Sequence, residues 1–349
     1  MADHHEQAAM RRALEAAREA VEKALPNPRV GCVLLDAHGQ VVAVGAHRGA
    51  GTSHAEADAL ARAGDRARGT TAVVTLEPCN HTGRTGPCSE ALIAAGVTRV
   101  VYGAEDPNPV AAGGADRLRG AGVEVEGGLL AAEAERLNVA WTHAVRTGRP
   151  FVTWKFAATL DGRSAAADGT SRWISGPDAR LDVQRLRAAC DAILVGTGTV
   201  RVDDPRLTLR DDEDAPLPYA VQPTRVVMGE SVVPAEARVR DDEAPFLHLE
   251  TRDVGTALAA LAAQEIRHVW LEGGPRLAGA FIAAGAVDEV VAYLAPALLG
   301  AGATALSGTG IDTIADQVRL DVTDVARVGP DLRLTARPRT AALTDEDRS

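Results

Sequence analysis

Two α/β domains in one chain are what the sequence predicts, on three observations. The chain has 349 residues, more than one compact domain usually holds. Strand-like apolar runs alternate with helical stretches along its length. The segment "RTGRP" (Arg146–Pro150) interrupts that alternation and reads as a hinge. The expectation is a first domain over 1–146, a second over 150–338, and a disordered tail over 339–349, "RTAALTDEDRS".

The elements of the first half follow in order. "MADHHEQAAMRRALEAAREAVEKAL" alternates charge with Ala and Leu at helical spacing. "VGCVLLD" and "QVVAVGAH" read as a strand pair around an "AHG" turn. "AEADALARAG" reads as a helix, "TTAVVTLEP" as a strand, "SEALIAAG" as a helix and "VTRVVYGAED" as a strand. The residues after Gly114 form a helix, and "VEVEGGL" closes the series. Strands separated by helices predict a mainly parallel sheet covered on both faces.

A second series begins at Phe151. "FVTWKFAATL", "CDAILVG", "PTRVVMG", "APFLHLE", "IRHVWLEGG" and "DEVVAYLAP" are strand-like. Helical stretches lie between several of them, including "PDARLDVQRLRA" and "VGTALAALAAQE". No repeat and no long low-complexity segment is present.

Hydrophobic residues make up 46% and aromatics only 3%, so the core must rest on Ala, Val and Leu. Formal net charge is 37 − 48 = −11. That balance disfavours nucleic acid and anionic membranes, both polyanionic. The N-terminus lacks an apolar stretch of signal-peptide length, and no run approaches a membrane span. A cytoplasmic enzyme is the expectation, and disulfides are disfavoured there.

"TLEPCNHTGRTGPC" (Thr75–Cys88) holds two of the four cysteines, nine positions apart. A disulfide, a metal site and coincidence are the three readings. Upstream, "SHAEADAL" supplies His54 and Glu56. His54, Cys79 and Cys88 offer one nitrogen and two sulfurs, a donor set suited to tetrahedral zinc. Three protein ligands leave a fourth position for water, whose pKa zinc lowers from about 15.7 to about 7. Glu56, on the first turn of a helix, reaches that water without binding metal and shuttles a proton to a leaving amine. The set matches the H-x-E, P-C and second-cysteine signature of zinc nucleobase deaminases. Eight residues separate the cysteines here, where the usual second half is P-C-x-x-C. Cys32 and Cys190 lack such company and read as packed thiols.

"PNPRVGCVLLD", "HAEADAL", "TLEPCNHTGRTGPCSEALIAAGVTRVV" and "DPNPVAAGG" resemble the deaminase half of the bifunctional deaminase/reductase family of riboflavin biosynthesis. "KFAATLDGRSA", "SRWISGPDAR", "VRVDDPRLTLR", "LEGGPRLAGAFIAAGAVDEVVAYLAPALLG" and "VGPDLRL" are similar to its reductase half. The match runs over roughly residues 5 to 335, in the family's order. It implies a cytidine-deaminase-like αβα domain followed by a dihydrofolate-reductase-like α/β domain. It also implies one zinc ion, NADPH, a phosphorylated pyrimidine substrate and a homo-oligomer. The first half would deaminate a diaminopyrimidine carrying phosphoribosylamine; the second would reduce the ribosyl group to ribityl.

The resemblance also implies site residues, beside plainer readings. Asn27 in "PNP" and His47 would face the pyrimidine, against turn chemistry for Asn27 and an exposed loop for His47. His81 and Arg84 would meet a substrate phosphate, against a solvated charge for Arg84. Asp106 in "DPNP" is read equally as a turn residue and a site residue. Lys155 would stand near the reacting carbon, against an exposed strand lysine. Ser171, Arg187, Leu207, Arg210 and Glu272 would meet substrate; for both arginines the alternative is a surface salt bridge. Ala157, Trp173, Thr199 and Asp203 would meet the cofactor. "EGGPRLAG" is not the G-x-G-x-x-G fingerprint, and alone it reads equally as a tight turn. With the resemblance, Gly274, Pro275, Arg276, Leu277, Ala278, Gly279 and Ala280 would contact the cofactor through backbone at a helix N-terminus. Two other functions keep the metal motif: another nucleobase or nucleoside deaminase fused to a reductase-like domain, and a structural zinc module with a binding domain.

Overall fold

The computed structural model describes residues 2–20, 26–82, 86–211 and 213–339. The chain divides into two compact units, Met1–Arg149 and Pro150–Ser349. Arg339 donates its amide to the Arg319 carbonyl, and the rest of the expected tail lies outside the described residues.

The first unit runs α1 (His4–Glu19), β1 (Gly31–Leu35), β2 (Val41–Ala46), α2 (Ala55–Ala63), β3 (Thr71–Leu76), α3 (Cys88–Ala95), β4 (Arg99–Ala104), α4 (Gly114–Gly120), β5 (Glu124–Gly127), α5 (Ala131–Leu137) and α6 (Val139–Thr147). A reciprocal capping box starts α1: Asp3 accepts from the Glu6 amide, and Glu6 accepts from the Asp3 amide. The sheet order is β2-β1-β3-β4-β5. Only β3/β4 and β4/β5 are parallel; β1 pairs antiparallel with both β2 and β3. The expectation of a mainly parallel sheet is therefore corrected for this half. The short turn after Asp36 makes β1 and β2 a hairpin, and a hairpin is antiparallel by construction. Strand alternation sends Cys32 and Leu34 to the face under α2, α3 and α4, and Val33 and Leu35 to the face under α1, α5 and α6.

The second unit runs β6 (Phe151–Thr159), α7 (Pro177–Ala188), β7 (Ala192–Gly196), α8 (Thr197–Asp203), β8 (Thr224–Met228), β9 (Phe246–Leu249), α9 (Val254–Ala263), β10 (His268–Leu271), α10 (Pro275–Ala283), β11 (Glu289–Ala295), β12 (Leu320–Val328) and β13 (Asp331–Pro338). The order is β12-β13-β11-β6-β10-β7-β8-β9. The six strands β11 to β9 are mutually parallel, and β13 and β12 add an antiparallel edge. Apolar side chains bury both sheet faces. In such sheets ligands sit beyond the carboxyl ends of the strands, where the strand order reverses. The ends of β6, β7 and β10 lie there, and α8 and α10 start there.

Candidate active sites

Cys79, three residues past β3, and Cys88, first residue of α3, converge on His54, the residue that opens α2. Their donor atoms all lie within 4.8 Å of one another. His54 Nδ1 stands 3.2 Å from Cys88 Sγ and 3.6 Å from Cys79 Sγ. All four cysteines are free, which removes the disulfide reading. The Cys88 amide, at the head of α3, donates to Cys79 Sγ at 3.5 Å, favouring a thiolate there. Between the two sulfurs, hydrogen bonding lowers Cys79 and raises Cys88. Its hydrogen bond to Cys79 raises His54. A buried, compact N, S, S donor set fits zinc, and among the described residues the cluster holds three protein ligands rather than four.

Glu56 is 3% exposed beside this cluster. Burial lifts its carboxyl to about 7, where it both accepts and releases a proton at neutral pH. Gly45 lets β2 approach that helix: a Cβ there would meet the Ala55 carbonyl oxygen at 2.3 Å.

His47 is 3% exposed, not on an open loop. Its Nδ1 stands 3.0 Å from the Ser53 carbonyl, so Nδ1 carries the proton. Its Nε2 then accepts from Asn27 Nδ2 at 3.1 Å, which leaves the Asn27 carbonyl as an acceptor for a ligand. Burial lowers the His47 pKa, so the ring stays neutral. The His47 and His54 rings meet edge-on with centroids 5.5 Å apart. Asp106 caps the Asn108 amide, and burial raises its carboxyl to about 6. His81 is half-buried, with a buried Nδ1 that lacks a partner among the described residues. Arg84 lies outside the described residues. Sequence reasoning missed Glu77, whose carboxylate accepts from the Ala115 amide at 3.0 Å and the Asp106 amide at 3.4 Å. It ties α4 and the "DPNP" loop to the metal segment; its only sequence signal was adjacency to Pro78-Cys79.

In the second unit, Lys155 on β6 and Glu272 just past β10 come from adjacent strands. Burial lowers the Lys155 pKa, and its Nζ lies 5.8 Å from the Tyr293 ring centroid. Arg187 grips Glu272 with two nitrogens, Nε at 2.8 Å, and the buried Trp270 indole donates to the same carboxylate. Burial pushes Glu272 up, but the charges of Arg187 and Lys155 outweigh it and hold the carboxyl at about 2. Arg187 thus has a carboxylate partner inside the site, a third outcome beside the free phosphate cation and the surface salt bridge.

Gly274 opens α10 and Pro275 is its first residue. Leu277 and Ala278 donate their amides back to the Gly274 carbonyl, leaving the Gly274 and Arg276 amides as helix-end donors. Ala278 and Gly279 face the core; a Cβ on Gly279 would meet the Ser307 carbonyl oxygen at 1.9 Å. Ala280 and Leu277 also pack on that core. Thr199 and Asp203 lie on α8, half-buried. Ala157 packs against the opposite core, and the Leu207 side chain is buried in it. Ser171 is exposed, and Trp173 is 70% exposed under the Arg180 guanidinium, 4.6 Å from the ring centroid.

Residues 3–104 match the cytidine and deoxycytidylate deaminase zinc-binding region, and 150–334 match the RibD C-terminal domain. The riboflavin biosynthesis protein RibD of Mycobacterium tuberculosis is 48% identical over 94% of this chain and 96% of its own. That of Escherichia coli is 43% identical over 93% and 97%. The solved RibD of Acinetobacter baumannii superposes with a TM-score of 0.88 at 38% identity, over 96% of this chain and 99% of its own. No described helix is long and apolar enough to cross a membrane. The two-domain fold, the His/Cys/Cys cluster and these likenesses place the chain in the RibD family of riboflavin biosynthesis, a zinc-binding deaminase joined to an NADPH-dependent reductase.

Proposed function

We propose that His54, Cys79 and Cys88 hold zinc and that Glu56 is the general acid–base of the deaminase half. The observation carrying this reading is the buried Glu56 carboxyl, at about 7, beside a three-donor cluster. Zinc, when bound, acidifies a water and so supplies a nucleophile at neutral pH. Glu56 would take up the nucleophile's proton at its carboxylate and return it to the leaving amino group, which departs as ammonia. Asn27, fixed by His47, presents its carbonyl to an N–H donor on the pyrimidine edge. His81 and Arg84 meet the substrate phosphate, and Asp106 orders their neighbourhood.

In the reductase half, NADPH supplies the hydride when bound. The amides of Gly274 and Arg276 at the start of α10 receive its phosphates. Pro275, Leu277, Ala278, Gly279 and Ala280 set that helix, and Ala157, Trp173, Thr199 and Asp203 complete the cofactor wall. Lys155, lowered by burial, delivers the proton that balances hydride addition to the opened ribosyl carbon. Glu272 orients the substrate's hydroxyl groups, with Ser171 and the backbone of Leu207. Arg210 faces its phosphate, and Arg187, paired with Glu272 through Nε and Nη2, turns its remaining nitrogen to it. The substrate is the phosphorylated diaminopyrimidine, and the enzyme works as a cytoplasmic homo-oligomer. Incubating the protein with the diaminopyrimidine phosphoriboside, with and without NADPH, tests this. Mass analysis should show the deaminated product alone without NADPH and its ribityl form with it; no ammonia release would defeat the reading.

A further inference from the structure

Arg210, the phosphate-facing cation of this proposal, lies in a segment held by two fully buried polar side chains, Gln222 and Arg225. Gln222 is fully buried. Its Oε1 accepts from the Leu209 amide at 2.7 Å. Its Nε2 donates to the Leu209 carbonyl at 3.0 Å and the Leu217 carbonyl at 2.8 Å. One side chain thereby clasps the backbone on both sides of Arg210, where Leu217 also donates to Leu209 and Arg210 bridges to Pro216.

Arg225, three residues on, is also fully buried. Its guanidinium donates to Asp241 Oδ1 and the Asp241 carbonyl, both at 2.6 Å, and to the Ala244 carbonyl. Asp241 in turn accepts from the Glu243 amide at 3.1 Å. Glu243 is the acidic partner of Arg206 at 3.0 Å and of Arg210 at 3.6 Å. Gln222 thus fixes the segment carrying Arg210, and Arg225 fixes the segment carrying Glu243, the second of Arg210's two carboxylate partners after Asp214 at 3.0 Å.

The Arg210 head group shows the result. Nε donates to the Asp214 carbonyl at 2.8 Å and to the Asp214 carboxylate at 3.0 Å, and Nη1 donates to the Thr208 hydroxyl at 3.2 Å. Nη2 is the guanidinium nitrogen left without a partner among the described residues. A buried amide with hydrogen bonds to both Leu209 and Leu217 is costly to leave unpaired, so the clasp holds these two backbone positions together.

We infer that Gln222 and Arg225 are positioning residues for the reductase, setting Arg210 so that Nη2 receives the substrate's terminal phosphate. The inference rests on the assignment of Arg210 to that phosphate. The clasp's specific consequence is preference for a phosphorylated over a dephosphorylated substrate.

The test measures kcat/KM for NADPH-dependent reduction of the deaminated phosphoriboside and of its dephosphorylated form. The ratio of the two is read for wild type, Arg210→Ala, Gln222→Met and the double variant. The ratio should fall about tenfold or more in each single variant. The double variant should fall no further, since coupled residues are not additive. The loss should lie mainly in KM. A purely structural Gln222 would lower both rates equally and leave the ratio unchanged, which would overturn the inference. An unchanged ratio in Arg210→Ala would instead overturn the phosphate assignment. If Gln222→Met fails to bind NADPH, Arg225→Lys decides by the same ratio, because it keeps the buried charge but loses the forked contacts to Asp241 and Ala244.

Discussion

Individual side chains carry the sharpest tests. Cys79→Ser should abolish zinc binding and ammonia release together, measured as metal content and deaminase rate. Glu56→Gln should keep zinc yet slow deamination by about a hundredfold or more, the usual size of a general acid–base contribution. Full deaminase activity in metal-stripped protein would refute both. Glu272 gives a pH test. Its folded carboxyl sits at about 2 against an ordinary 4.5, because Arg187 and Lys155 outweigh burial. A depressed carboxylate stabilises the fold above its unfolded value and loses that contribution as pH falls through the folded one. The gap is worth on the order of 3 kcal/mol, lost between pH 4.5 and about 2. Glu272→Gln should therefore flatten the fall of reductase-half stability with acid in this window, followed by denaturant unfolding. An equally steep fall in the variant would show that the ion pair contributes nothing. What could be read at this scale was a donor set with chemistry of its own: His54, Cys79, Cys88 and Glu56. Glu77, Gln222 and Tyr293 could not be read, because their roles exist only through partners distant in sequence.

Elements place those side chains, and glycine decides two of the placements. Gly114 begins α4 against the backbone of the metal segment; a Cβ there would lie 1.7 Å from the Pro78 carbonyl oxygen. Alanine would favour the helix by about 1 kcal/mol. The overlap is with main chain, which cannot rotate away, so displacement of Pro78 and Cys79 wins. Gly114→Ala should weaken zinc retention against a chelator while leaving NADPH oxidation on deaminated substrate unchanged; wild-type retention would show that the contact relaxes harmlessly. Elements with strong apolar periodicity, such as β1, β3, β7 and α2, were legible. β12 was not: its side chains are largely exposed, so its alternation never marks a buried face. α5 and α6 carry polar residues through short helices, and α8 starts at the residue after β7; in all three, tertiary packing rather than pattern selects the helix.

At the scale of the whole molecule, the residues proposed for the two reactions divide with the chain. His54, Glu56, Cys79 and Cys88 belong to the unit Met1–Arg149; Lys155, Arg187, Arg210 and Glu272 belong to Pro150–Ser349. Each set is supported by its own sheet and its own buried polar contacts. Glu56→Gln should consequently leave NADPH-dependent reduction of the deaminated substrate nearly unchanged. Lys155→Ala or Glu272→Ala should slow reduction by about a hundredfold while ammonia release continues, so the deaminated intermediate accumulates. Each substitution deletes one charge or hydrogen bond at one site and leaves the other unit's core intact. Ammonia release and loss of NADPH absorbance, read on all three variants, make the comparison. Loss of both activities in a folded Glu56→Gln protein would require a single composite site. Persistence of reduction there, with ammonia release surviving in the other two, means that two reactions share a chain without sharing a catalytic group.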